Sequence, residues 1–259
     1  MLIAGHELDV LRIEPQRTGA ATLIFLHEGL GSAGLWRDFP AILAERTGCG
    51  AIVYSRYGNG FSEPLSETRE TRYMHDEALV VLPALLKALD INDAVLVGHS
   101  DGASIAIIFA SEHPDAVRGA ILEAPHVFVE DLSVRSIAAI RAEYESGDLR
   151  ARMRRHHTDA DRTFYGWNDI WLAPAFRDWN IETYAAHLRA PILAIQGNDD
   201  EYGTFAQIES LTRLSTRSTD RLLLSHCGHS PHRDRAALTL SVSTAWIAGI
   251  SDNYNNRRR

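Results

Sequence analysis

The stretch Gly98-His99-Ser100-Asp101-Gly102 sets a serine between two glycines, directly after the apolar run Ala94 to Val97 and directly before the periodic segment Ala103 to Glu112. A Gly-x-Ser-x-Gly between a strand and a helix folds as a sharp, strained turn that lifts the serine hydroxyl above the sheet. The helix that follows aims its free N–H groups at the same point, which favours negative charge developing there. Such a turn serves nucleophilic attack on a carbonyl. The plainer alternative, a glycine-bounded turn with an ordinary serine, requires strand, helix and downstream partners to coincide by accident.

A serine hydroxyl is a poor nucleophile until a base takes its proton, so a histidine held by a carboxylate is needed elsewhere in the chain. The expected order is serine, acid, histidine. Two segments supply candidates. Gln196-Gly197-Asn198-Asp199-Asp200 follows the apolar run Ile192 to Ile195, and His226-Cys227-Gly228-His229-Ser230-Pro231-His232 follows Leu222 to Leu224. Spacing alone separates neither Asp200 from Asp199 nor His229 from His226 and His232. Asp199 also reads as a cap or brace for a helix beginning near Thr204. Glu123, after the run Ala120 to Leu122, is a third carboxylate at a strand end.

These residues need a scaffold that brings strand ends together. Short β-branched runs at Thr22 to Leu26, Ala51 to Tyr54, Ala94 to Val97, Ala120 to Leu122, Ile192 to Ile195 and Leu222 to Leu224 read as buried strands. Helix-length segments lie between them, including Glu70 to Leu89, Ala103 to Glu112, Phe205 to Leu214 and Arg235 to Ile247. The alternation predicts an α/β fold, a mostly parallel sheet with helices on both faces. From Phe128 to Leu188 the rhythm breaks. No strand pattern appears there, and Trp167, Trp171 and Trp179 fall close together, so a helical cap is expected over the carboxyl ends of the strands, where such sheets bind ligands. The expected organisation is a core over 1–127 and 189–250, a cap over 128–188 and a flexible polar tail over 251–259.

Together, Gly98-His99-Ser100-Asp101-Gly102, Gln196-Gly197-Asn198-Asp199-Asp200 and Cys227-Gly228-His229-Ser230-Pro231 resemble the α/β-hydrolase superfamily over residues 8 to 250. The resemblance implies the α/β-hydrolase fold. It also implies Asp200 as the acid, three residues after Gly197, and His229, directly after a glycine, as the base. It places the oxyanion donors, whose individual loss typically costs about a hundredfold to a thousandfold in rate, at the backbone N–H groups of Asp101 and of the loop after Thr22 to Leu26. That loop reads His27-Glu28-Gly29-Leu30-Gly31, with Glu28 where the family has glycine, leaving Gly29 as the donor. Glu28 then either bonds substrate or pairs with Arg56 or Arg37, and the structural pairing is preferred. The Asp101 side chain reads as a first-turn cap. Tyr57-Gly58-Asn59-Gly60-Phe61-Ser62 matches the family's Arg-Gly-x-Gly-x-Ser loop with tyrosine for arginine and reads as scaffold. His126, Phe128, Trp167 and Trp171 are candidate pocket residues, although aromatic clusters in a cap often form its own core.

The 259 residues carry a formal net charge of −8, which argues against nucleic-acid binding. The arginines at 150, 152, 154 and 155 are flanked by Asp148, Asp159 and Asp161 and read as a solvated face. Cys49 and Cys227 are too few for a disulfide framework and suit packing in a reducing compartment. Met1 to Val10 lacks a secretory pattern, and no apolar stretch reaches membrane-spanning length, so a cytoplasmic location is expected, with no membrane partner. No motif implies a cofactor. The spacing of His226, His229 and His232 is broken by Gly228 and Pro231, so no metal site is expected.

The expected activity is hydrolysis of a small carboxylic ester, thioester or lactone through a Ser100 acyl-enzyme, with a small molecule as the only partner implied and the oligomeric state unreadable. Two alternatives stay open: carbon-carbon bond hydrolysis of a ring-cleavage product with the same residues, and a non-catalytic binding protein on the same fold. Dehalogenase and epoxide-hydrolase chemistry is disfavoured, because both use a carboxylate at the position of Ser100.

Overall fold

Seven strands form the main sheet: β1 (Val10–Ile13), β2 (Thr22–Leu26), β3 (Gly50–Tyr54), β4 (Ala94–His99), β5 (Val117–Glu123), β6 (Ile192–Gly197) and β7 (Thr219–Leu224). Their spatial order is β1-β3-β2-β4-β5-β6-β7, with β1 antiparallel to β3 and every other pair parallel. The computed structural model describes residues 1–258, with side chains through Asp252. Strands β3, β4, β5 and β6 are buried along their whole length, as continuous apolar runs covered on both faces must be.

Alternate residues of each strand feed two cores. One face packs Ile24, Leu26, Ile52, Leu96 and Leu122 against the helical segment Tyr73–Ala88 and α2 (Asp101–Glu112). The other packs Leu23, Phe25, Val53, Val95, Val97 and Ile121 against α1 (Phe39–Thr47) and the last helix, Ala236–Arg258. Ile105, Ile107, Ile108 and Phe109 of α2 are fully buried. Each such side chain contributes roughly 2 kcal/mol relative to exposure, which anchors the helix whose N-terminus carries the elbow.

Between β5 and β6 the chain is helical, with α3 (Asp131–Ser146), α4 (Leu149–Met153) and α5 (Ala160–Leu172) as its main elements. It is pinned to the core loop after β3 by Thr158 N–H to the Gly60 carbonyl at 2.8 Å and Thr163 Oγ1 to the Gly58 carbonyl at 2.7 Å. Arg162 Nη1 adds a bond to the Leu65 carbonyl at 2.7 Å.

Two elements exceed what the sequence pattern predicts. Edge strand β1 carries only partial burial around Arg12, so its alternation is weak, and α1 is short, with Pro40 in its first turn and a brief apolar stripe. The backbone of the last helix also continues through most of 251–259, read from sequence as a flexible tail; once a helix is nucleated, extension costs little even for polar residues. Arg259 lies outside the described residues. Among the described residues no helix is long and apolar enough to cross a membrane.

Candidate active site

Ser100 sits at φ 54°, ψ −117°, a left-handed backbone that non-glycine residues adopt only when their surroundings force it. Its N–H bonds the Glu123 carbonyl at 2.9 Å, and its carbonyl accepts from Ala103 N–H at 2.9 Å, starting α2. The flanking glycines make the turn possible. A Cβ on Gly102 would lie 1.9 Å from the Leu26 carbonyl oxygen, and one on Gly98 would lie 2.4 Å from the Gly102 oxygen.

The loops of the candidate acid Asp200 and the candidate base His229 leave adjacent parallel strands, β6 and β7, and meet beside the elbow. His229 Nδ1 lies 2.8 Å from Asp200 Oδ1, which also accepts Tyr202 N–H at 2.9 Å and Gly203 N–H at 3.2 Å. Gln196 Nε2 approaches the other oxygen at 3.3 Å. Burial works to raise the Asp200 carboxyl, but the charge and hydrogen bond of His229 outweigh it, and the group is lowered to about 2. Asp199 is exposed, and among the described residues only its backbone N–H is engaged, with the Cys227 carbonyl at 2.9 Å. No hydrogen bond links Ser100 Oγ to His229 among the described residues; hydroxyl-imidazole contacts of this kind commonly tighten only when substrate binds.

The three histidines of the base loop part company. His226 is exposed at φ 52°. His232 turns to Glu123, with its Nδ1 2.7 Å from Oε2 and its backbone N–H 3.1 Å from the same oxygen. Glu123 therefore serves a second acid–imidazole pair, separate from the first. Cys227 is buried, and burial foremost pushes its thiol up to about 11, well away from nucleophile range.

The loop after β2 is braced from inside. His27 donates from Nδ1 to the Glu28 carbonyl at 2.7 Å and accepts Arg56 N–H on Nε2 at 3.0 Å, which makes it a neutral Nδ1–H tautomer. Burial, with the Arg56 charge, lowers its pKa well below the ordinary histidine value. Buried Arg56 reaches the Glu28 carbonyl at 2.8 Å and the His27 carbonyl at 3.3 Å, while Asn59 Nδ2 holds the Gly29 and Gly31 carbonyls at 3.0 Å each. The Glu28 carboxylate pairs with neither Arg56 nor Arg37. It faces His99, Oε2 to Nδ1 at 3.5 Å.

His99 Nε2 donates to the His229 carbonyl at 2.6 Å, so this ring lies between the oxyanion loop and the base loop. Burial opposes a charge on His99, yet Glu28, Glu123 and the His229 carbonyl together raise its pKa above the ordinary value. On Glu28 burial pulls upward, but His99, His27 and His232 hold the carboxyl well below its ordinary range.

Asp101 does not cap its helix with its side chain. Its Oδ2 accepts the Tyr73 hydroxyl at 2.6 Å and lies 3.7 Å from Arg56 Nη2, all buried. The guanidinium two positions after β3 thus draws the carboxylate away from the helix N–H groups.

Above these loops α5 presents Trp167 and Trp171, four residues apart and so on one face. Trp171 donates to the Tyr73 hydroxyl at 3.0 Å and meets His126 edge-on at 5.2 Å between ring centres. His126 lies 5.8 Å from the His229 ring, and burial foremost, then the His229 charge, lowers it to about 4. Trp167 packs on Gly29, where a Cβ would lie 2.0 Å from its Nε1. Phe128 packs against the same apolar cluster, and its backbone is bridged to Asn180 and bonded to Gln207. The roles of His99, Tyr73 and Tyr202, whose ring lies 4.8 Å from His229, are not marked by any spacing in the sequence.

A family model described as alpha/beta hydrolase fold matches residues 21–171. A proline iminopeptidase of Lactobacillus helveticus (strain DPC 4571) is 22% identical over 286 aligned residues, covering 95% of this chain and 96% of that protein. Among solved structures, the enol-lactonase of Burkholderia xenovorans LB400 superposes with a TM-score of 0.76 at 16% identity, over 96% of this chain and 99% of that one. A meta-cleavage product hydrolase of Pseudomonas fluorescens IP01 superposes with a TM-score of 0.74 at 14% identity, over 96% and 97%.

Proposed function

The chain belongs to the α/β-hydrolase fold family, and from that premise we propose that it hydrolyses a small carboxylic ester, thioester or lactone through an acyl-enzyme on Ser100. The observation that carries this reading is the pairing of a serine at left-handed φ with a part-buried Asp200–His229 contact of 2.8 Å on the neighbouring strand ends.

In this mechanism Ser100 Oγ attacks the carbonyl carbon as His229 Nε2 takes the hydroxyl proton. Asp200 keeps the other ring proton on Nδ1 and stabilises the imidazolium. The N–H groups of Gly29 and Asp101 receive the oxyanion. Collapse expels the alkoxide or thiolate, which takes the proton from His229, and leaves the acyl group on Ser100. Water, deprotonated by His229, then attacks the ester, and Ser100 departs with the returned proton.

Trp167, Trp171, Phe176 and Trp179 make the cap interior apolar, which suits an uncharged acyl group. An aminopeptidase would need an uncommitted carboxylate for the substrate ammonium. The Glu28 and Asp101 carboxylates beside the elbow are already matched to His99 and to Arg56 with Tyr73. Ester chemistry is therefore the better supported reading.

A graded series of p-nitrophenyl esters assayed with wild type and Ser100→Ala tests the proposal. Turnover by the wild type that vanishes in the variant is expected. Turnover by neither, together with no labelling by a fluorophosphonate probe, overturns it in favour of carbon-carbon hydrolysis or a binding role.

A further inference from the structure

We propose that the indole N–H of Trp167 is a third oxyanion donor, delivered from the cap onto the oxyanion loop. The inference rests on the acyl-transfer reading above and deepens it.

A Cβ on Gly29 would lie 2.0 Å from Trp167 Nε1 and 2.2 Å from Cδ1, so the pyrrole edge of the indole fills the space a side chain at position 29 would take. The nitrogen is thus within about 3.5 Å of the Gly29 Cα. Glycine at 29 is a steric requirement of that contact. The backbone N–H proposed to hold the oxyanion belongs to this same glycine.

Trp167 is 8% exposed, and its N–H has no hydrogen-bond partner among the described residues and is not sealed from solvent, so it stays open to an incoming acceptor. An indole N–H among buried side chains commonly has an acceptor. Its neighbour one turn on does so: Trp171 donates to the Tyr73 hydroxyl, which in turn bonds Asp101, the residue of the other proposed backbone donor. Helix α5 therefore sets one indole against each side of the oxyanion hole and leaves only the Gly29 side with a donor to spare. A substrate carbonyl oxygen entering the hole supplies the missing acceptor.

The donor is held in place before substrate arrives. Thr158, Thr163 and Arg162 tie the start of α5 to Gly60, Gly58 and Leu65. Gly60 N–H also donates to His157 Nδ1 at 2.9 Å. A donor fixed in advance needs no reorganisation as charge develops on the oxygen.

The test compares wild type, Trp167→Phe and a variant carrying benzothienylalanine at 167, which keeps the indole outline and replaces the N–H by sulfur. Ester kcat, KM, thermal midpoint and fluorophosphonate labelling of Ser100 are measured on each. The expected result is a fall in kcat of about tenfold or more in both variants, with KM within about twofold and the midpoint retained. A benzothienylalanine variant with wild-type kcat overturns the proposal and, if Ser100 is still labelled, leaves the serine mechanism standing. Failure of the wild type to label removes the mechanism itself, and this proposal with it.

Discussion

Two acid–imidazole pairs lie within one histidine's width of each other, and their contact lengths hardly differ: 2.8 Å for Asp200–His229 and 2.7 Å for Glu123–His232. Their surroundings differ. His232 is boxed by Trp36 at 4.5 Å, Phe39 at 5.7 Å and His99 at 5.0 Å between ring centres. Its own backbone N–H is tied to the same carboxylate. His229 instead meets Tyr202 and His126 beneath the cap, and its carboxylate is steadied by two backbone N–H groups of the Asp200 loop. Two acid–imidazole contacts of nearly the same length thus sit in different settings, one walled in by aromatic rings and tied by its own backbone, the other under the cap.

The sharpest way to break this comparison is to neutralise each acid in turn. Asp200→Asn is expected to lower ester kcat by about 10⁴-fold, as loss of the correct tautomer does elsewhere. Glu123→Gln should cost less than about tenfold in kcat and act instead on the thermal midpoint, because it disturbs a boxed structural pair. Comparable losses of kcat in the two variants would mean that the pairs share the work.

A second prediction concerns stability in acid. His126 and His157 are each lowered from 6.5 to about 4, in both cases chiefly by burial. Between these values the unfolded chain takes up protons that the folded chain refuses. Stability contributed by the neutral rings is therefore complete above pH 6.5 and lost as pH falls towards 4, by up to about 3 kcal/mol for each. Urea titrations across this range should show the loss, and His126→Gln should flatten the slope. An unchanged slope would remove His126 as its source.

A more local effect, well below that of Asp200→Asn, is expected at the ring between the pairs. Glu28→Gln removes the counter-charge of His99, whose Nε2 holds the His229 carbonyl, so the base loop shifts and kcat falls about tenfold with KM retained. The pH–rate profile is the discriminating readout. A profile and kcat identical to wild type would show Glu28 to be an idle surface group.

Ser100 was legible because its turn is written in consecutive residues, and β4 and α2 on either side are continuous apolar or periodic runs. Asp200 and His229 could be nominated by resemblance, and their meeting at 2.8 Å follows from β6 and β7 being adjacent parallel strands. The partners of Glu28 and Asp101 were not legible. Arg56 was a reasonable mate for Glu28, but it spends its hydrogen bonds on the loop carbonyls and its charge on Asp101, which sends Glu28 to His99. Choices of this kind depend on backbone direction in loops, where no periodicity operates. Edge strand β1 was obscured for a related reason: with solvent on one side, its pattern carries little signal.

The bond from His99 to the His229 carbonyl joins residues 130 positions apart. On a chain synthesised from its N-terminus, the elbow and oxyanion loop can assemble on β2 to β5 long before the base loop emerges. The proposed nucleophile thus predates its proposed base. On that reading the nascent protein first carries a shaped but chemically silent serine, and refolding experiments should recover core fluorescence ahead of enzymatic activity.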